Sequence, residues 1–176
     1  STGSLTGQAP SYNAACQTAK APTTEKAIVT NATVAGTLTS PSVLLSTQYG
    51  GGGGNPFADD MSGVDRITSI EIRAGKYVDR VATTYLLANG DSRTVSHGGS
   101  GGSQNTIKFD PDERIMQVSG RSGKYLDQIS IKTNKRTYGP YGRGGGNPFT
   151  ITCLPNQQML GFFGRSGNIV DALGVF

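Results

Sequence analysis

From Gln48 to Phe176, apolar and polar side chains alternate in short runs such as Ile70-Glu71-Ile72, Ile107-Lys108-Phe109 and Ile129-Ser130-Ile131. A period of two places successive side chains on opposite faces of a strand. The runs are separated by glycine-rich or Asn/Asp-containing turns, so the pattern predicts an all-β body. Residues 1 to about 40 differ. Ser, Thr, Ala, Pro and Gly dominate there, and only Lys26-Ala27-Ile28-Val29-Thr30 and Ala35-Gly36-Thr37-Leu38-Thr39 read as strands. We expect a partly irregular N-terminal extension over 1–43, a module joint or a belt around the core, ahead of one folded domain over 44–176. Runs such as Tyr85-Leu86-Leu87-Ala88 fall far short of the ~20 apolar residues of a membrane-spanning helix, so no membrane insertion is expected.

The turns themselves repeat. Three glycine-rich loops, Tyr49 to Gly54, His97 to Gly102 and Tyr141 to Gly146, alternate with three Gly-x-x-x-Asp motifs. The motifs are Gly75-Lys76-Tyr77-Val78-Asp79, Gly123-Lys124-Tyr125-Leu126-Asp127 and Gly167-Asn168-Ile169-Val170-Asp171. Each loop's last glycine precedes the next motif's glycine by 21 positions (75−54, 123−102, 167−146), and Asn55-Pro56-Phe57 recurs as Asn147-Pro148-Phe149. Three β-rich units of this length are too few for a propeller, which closes with about four to eight blades. A β-trefoil lectin would carry a Gln-x-Trp signature, and the chain has no tryptophan. A prism of three antiparallel sheets remains.

Composition narrows the function. The chain has 26 glycines in 176 residues, about twice the usual ~7%; at about 1 kcal/mol per helical glycine, a mostly helical fold is excluded. The formal charge of +4 raises nucleic acid as a partner, but the cations are dispersed and no RNA-binding signature is present, so none is expected. Lys76, Lys124, Arg121, Arg143 and Arg165 lie in or beside the repeated loops and suggest a rim that attracts acidic sugars, or simply a solvated surface. With one histidine, His97, and two cysteines far apart, no metal or cofactor is expected. Cys16 and Cys153 read as a disulfide pinning the extension to the body, the alternative being two separate buried thiols. The bridge would place the protein in a secreted, extracellular or cell-surface setting. The start lacks a signal-peptide pattern, which fits a cytosolic protein or a mature or excised fragment. Asn31-Ala32-Thr33 matches an N-glycosylation sequon, a common chance triplet.

The order and spacing of these pieces resemble the jacalin-related lectins over about residues 44 to 176. The resemblance is carried by His97-Gly98-Gly99-Ser100-Gly101-Gly102, Tyr138-Gly139-Pro140-Tyr141-Gly142, Gly161 to Gly167 and Val170-Asp171-Ala172-Leu173-Gly174-Val175. It implies a β-prism of three four-stranded antiparallel Greek-key sheets with pseudo-threefold symmetry. Three Gly-x-x-x-Asp motifs are more similar to an algal member of the family than to plant members, which often keep one or two. Modules of this kind also occur in bacterial adhesins and toxins.

An ionised carboxylate accepts sugar hydroxyls in charge-assisted bonds, and a glycine loop lets backbone N–H groups approach a ligand closely. The resemblance implies that each Asp takes the O4 and O6 hydroxyls of mannose or glucose, that the amides before it contact O5 and O6, and that a facing glycine contacts O3. By position it pairs Gly102 with Lys76, Tyr77, Val78 and Asp79; Gly146 with Lys124, Tyr125, Leu126 and Asp127; and Gly54 with Asn168, Ile169, Val170 and Asp171. Tyr77 and Tyr125 offer ring faces to a sugar, whereas Ile169 does not. One such aspartate alone reads equally well as a turn cap; three with facing loops argue for sites. Galactose-specific members use a free α-amino group at the first loop. Here that loop continues from Ser46-Thr47-Gln48-Tyr49, which favours mannose or glucose. Up to three sites then suit branched mannose-rich glycans or glycoproteins. Three equivalent aspartates lack the two unlike environments of an acid–base pair, so no enzyme is expected. The alternative is a structural or adhesion β-module that binds anionic polysaccharide or protein surfaces.

Overall fold

The computed structural model describes residues 45–154 and 157–176, together with the backbone of Gln17–Thr18. Thirteen strands follow in chain order: β1 (Gln17–Thr18), β2 (Tyr49–Gly50), β3 (Asn55–Ala58), β4 (Val64–Ala74), β5 (Val78–Leu87), β6 (Ser92–Gly98), β7 (Ser103–Lys108), β8 (Ile115–Ser122), β9 (Leu126–Thr133), β10 (Thr137–Gly142), β11 (Asn147–Thr152), β12 (Phe162–Ser166) and β13 (Val170–Val175). Among the described residues there is no helix.

The strands form three antiparallel sheets of one design, an inner hairpin flanked by two outer strands. The orders are β6-β5-β4-β7, β10-β9-β8-β11 and β2-β13-β12-β3. The expected β-prism of three four-stranded sheets is therefore the observed fold. One sheet gains a fifth strand, for β1 pairs with β11, Gln17 opposite Thr152 and Thr18 opposite Ile151. The strand-like runs at 26–30 and 35–39, the sequon at 31–33 and Cys16 lie outside the described residues.

Alternation along the inner strands explains the core. Ile70 and Ile72 of β4 and Ile129 and Ile131 of β9 point inward and are buried, while Glu71 and Ser130 between them are half-buried. Strands β5, β9 and β13, one from each sheet, meet along the prism axis. β13 departs from alternation because all six of its residues are buried. A β-carbon at Gly174 would come within 2.3 Å of the Phe163 ring, so that ring covers the outer face of the strand.

Of the four buried acidic residues, Asp59, Glu113, Asp127 and Asp171, the first two have side-chain hydrogen-bond partners away from the glycine loops. Asp59 accepts the Tyr85 hydroxyl and pairs with His97 Nε2, and the His97 ring stacks on Phe57 with centroids 3.6 Å apart. Burial and the Asp59 charge push the Tyr85 hydroxyl far up, so it stays a donor. His97 thus has a structural role, paired with Asp59 and stacked on Phe57. Glu113 accepts from Thr133 Oγ1 at 2.6 Å and from the Tyr138 hydroxyl at 2.8 Å.

Candidate functional site

Each inner hairpin turns over on three residues, 75–77, 123–125 or 167–169. The turn closes with its glycine N–H donating to the carbonyl two residues on: Gly75 to Tyr77 at 3.0 Å, Gly123 to Tyr125 at 3.0 Å and Gly167 to Ile169 at 2.9 Å. The aspartate follows as the second residue of the returning strand, so Asp79, Asp127 and Asp171 occupy equivalent places in β5, β9 and β13. The glycine loops join the outer strands of the same sheets: 51–54 links β2 to β3, 99–102 links β6 to β7, and 143–146 links β10 to β11.

Loop and hairpin are tied by one repeated bond. The N–H of Gly99 donates to the Asp79 carbonyl at 2.8 Å, Arg143 to Asp127 at 3.1 Å and Gly51 to Asp171 at 2.9 Å. The last two glycines then lie over the carboxylate. A β-carbon at Gly101 or Gly102 would fall 2.7 Å from Oδ1 or 2.6 Å from Oδ2 of Asp79. The corresponding values are 2.7 and 2.8 Å for Gly145 and Gly146 on Asp127, and 2.6 and 2.5 Å for Gly53 and Gly54 on Asp171. Gly54, Gly102 and Gly146 also hold φ of +64°, +69° and +63°, where L side chains are strained. The structure thus brings together each loop and aspartate that the resemblance paired.

The remaining candidates separate by depth. Val78, Leu126 and Val170 are fully buried, so their side chains belong to the core. Lys76, Lys124 and Asn168 stand exposed at the turn tips. Tyr77 and Tyr125 are half-buried and meet each other edge-on, centroids 4.8 Å apart and planes at 62°. The ammonium of Lys76 lies 5.4 Å from the Tyr77 centroid, and that of Lys124 lies 5.5 Å from the Tyr125 centroid. Neighbouring constellations also touch: a β-carbon at Gly51 would strike the Lys124 carbonyl at 2.1 Å, and one at Gly99 the Asn168 carbonyl at 2.2 Å. All three therefore share one end of the prism. Burial pushes the Asp171 carboxyl up, with the Arg165 guanidinium opposing.

The basic rim is smaller than the sequence suggested. Arg121 and Arg165 are committed to loop carbonyls: Arg121 donates to Gly145 at 3.0 Å and Gly146 at 2.7 Å, and Arg165 to Gly53 at 2.9 Å and Gly54 at 2.8 Å. Arg73, which sequence reasoning passed over, does the same at Gly101 and Gly102, at 3.1 and 3.0 Å. The signal was present, since these arginines lie 48 (121−73) and 44 (165−121) positions apart, each two residues before a motif glycine. Lys76, Lys124 and Arg143 remain as exposed cations at this end. Among the described residues no cluster of metal-binding side chains occurs.

The sequence pattern of the jacalin-like lectin domain matches residues 46–176. Among solved structures, Malaysian banana lectin is 35% identical with a TM-score of 0.69, covering 75% of this chain and 95% of that one. A mannose-binding jacalin-related lectin from Ananas comosus is 29% identical with a TM-score of 0.70, covering 75% and 94%. Artocarpin, solved with mannotriose, is 30% identical with a TM-score of 0.68, covering 75% and 95%. No curated protein sequence matches the chain.

Proposed function

The chain belongs to the jacalin-like lectin domain family, and from that premise we propose that it binds mannose- or glucose-type glycans, branched mannose-rich ones above all, through three sites. That it is a carbohydrate-binding domain rather than an enzyme follows from the family. What supports the finer reading is one observation made three times: a carboxylate with each oxygen against one of two consecutive glycines, at one end of the prism. Such a carboxylate accepts two neighbouring hydroxyls, and with no side chain on the glycines a pyranose can approach the loop backbone. The neighbour from Ananas comosus is described as mannose-binding, which favours the same sugar class.

In this reading Asp79, Asp127 and Asp171 take the hydroxyls, and the turn residues Lys76, Tyr77, Lys124, Tyr125, Asn168 and Ile169, with the strand-opening Val78, Leu126 and Val170, offer backbone amides. Gly102, Gly146 and Gly54 face them. Titration of the full chain with methyl α-mannoside, followed by amide NMR, tests it. Separate saturable shifts at Gly54, Gly102 and Gly146 are expected; a spectrum unmoved by millimolar mannoside overturns the reading.

We also propose the Cys16–Cys153 bridge and, with it, an oxidising extracellular location, with residues 1–43 appended to the lectin domain. Cys16 precedes Gln17 and Cys153 follows Thr152, and Gln17 and Thr152 are register partners. Intact mass after alkylation of the denatured, unreduced chain should show no added label; two labels would refute the bridge.

A further inference from the structure

Resting on the sugar-binding reading, we propose that Arg73, Arg121 and Arg165 are positioning residues that hold the ends of the glycine loops in the binding conformation. Each guanidinium lies along the backbone of the loop that faces its own hairpin. Arg121 donates Nε to the Gly145 carbonyl at 3.0 Å and Nη2 to Gly146 at 2.7 Å, and Arg165 donates Nε to Gly53 at 2.9 Å and Nη2 to Gly54 at 2.8 Å. Arg73 donates Nε to Ser100 and Gly101, both at 3.1 Å, Nη2 to Gly102 at 3.0 Å and Nη1 to Gln104 Oε1 at 3.2 Å. Among the described residues, none of the three forms an ion pair with a carboxylate.

The need for such a device follows from the loop's own chemistry. Consecutive glycines have the greatest backbone freedom and no side chain to pack, so a ligand that binds them free must also order them. A planar guanidinium fork can hold two successive carbonyls at once, which a lysine ammonium does less well. In a trans peptide the C=O and the following N–H point in opposite directions. Fixing the Gly145 carbonyl on Arg121 therefore turns the Gly146 N–H away from that arginine. The same coupling links Gly53 to Gly54 through Arg165 and Gly101 to Gly102 through Arg73. Each arginine thus orients, from behind, the amide of the glycine that faces the aspartate, without touching the sugar.

The test compares full-length wild type with Arg121→Gln and Arg121→Lys, titrated with methyl α-mannoside and read at the Gly54, Gly102 and Gly146 amides. Heteronuclear NOE values for Gly145 and Gly146 are measured without sugar. Arg121→Gln is expected to raise Kd about tenfold at the Gly146 site, Lys about threefold, with the other two sites within about twofold of wild type. The NOE values at Gly145 and Gly146 should fall in parallel. A general loss of structure would move all three sites together, so site-confined weakening with partial rescue by lysine marks positioning. An Arg121→Gln Kd within twofold of wild type at the Gly146 site, or weakening of all three sites, overturns the proposal while wild-type binding stands. A wild type that binds no mannoside removes the sugar-binding reading and this inference with it. Should Arg121→Gln fail to fold, Arg73→Gln, read at Gly102, carries the same comparison.

Discussion

One methyl group should switch off one site. Gly102 holds φ of +69°, and a β-carbon there would lie 2.6 Å from Asp79 Oδ2 and 2.5 Å from the Ala74 carbonyl carbon. Gly102→Ala is expected to cost about 1 kcal/mol of stability or more and to abolish binding at the Asp79 site, with the other two intact. Calorimetry with mannoside would count two sites instead of three; a retained third site would show that the loop does not approach the ligand closely. Asp171 sets a pH limit on its own site. Its carboxyl is pushed up by burial, and the ionised form is the acceptor of hydroxyls. Binding read at Gly54 should therefore weaken as pH falls toward that raised pKa, beginning above the ordinary value of 3.8. These residues were legible in the sequence because a loop glycine and an aspartate recur at one fixed spacing three times over, which unrelated turns would not do. The three arginines are as periodic, yet Arg121 and Arg165 read as rim or surface charge and Arg73 drew no reading, because spacing alone does not show what a long side chain reaches.

Among the elements, the hairpins carry the proposed sites and the far end of the second sheet carries its own ionic latch. Glu113 is buried and accepts from Thr133, Tyr138 and the Asp110 N–H. Burial pushes its carboxyl up, but these hydrogen bonds outweigh it and hold the pKa below 4.5. A depressed folded pKa stabilises the fold above the unfolded value and loses that contribution as pH falls through the folded one. Urea denaturation of Glu113→Gln should therefore show a deficit of about 1 to 3 kcal/mol at pH 7 that shrinks below pH 4.5; a deficit independent of pH would exclude the ionised carboxylate as its source. Strands β4 and β9 were readable from alternation at Ile70-Glu71-Ile72 and Ile129-Ser130-Ile131. β13 was not, since Phe163 folds its ring over Gly174 and buries both faces. Nor was β1, whose two residues follow no period and are placed only by pairing with β11.

At the scale of the whole molecule, the proposed function rests on threefold repetition. A shallow monosaccharide site near the millimolar level is worth only about −4 kcal/mol, whereas three on one face raise the effective concentration for any glycan whose branches span them. The shared face follows from the fold, because neighbouring loops and turns touch at Gly51 and Lys124 and at Gly99 and Asn168. The Tyr77–Tyr125 contact joins two of the three sites and leaves the Ile169 site without an aromatic neighbour from its own motif. The missing aromatic at Ile169 is legible in its motif, whereas the Tyr77–Tyr125 contact arises between sheets and no single motif could reveal it. The decisive measurement is a glycan array of the intact chain beside its Asp79→Ala/Asp127→Ala/Asp171→Ala variant, both confirmed folded by circular dichroism. Binding to branched mannose-rich glycans that is strong in the wild type and absent from the variant is the predicted result. A folded wild type that binds no such glycan, or a variant that binds as well, would contradict it.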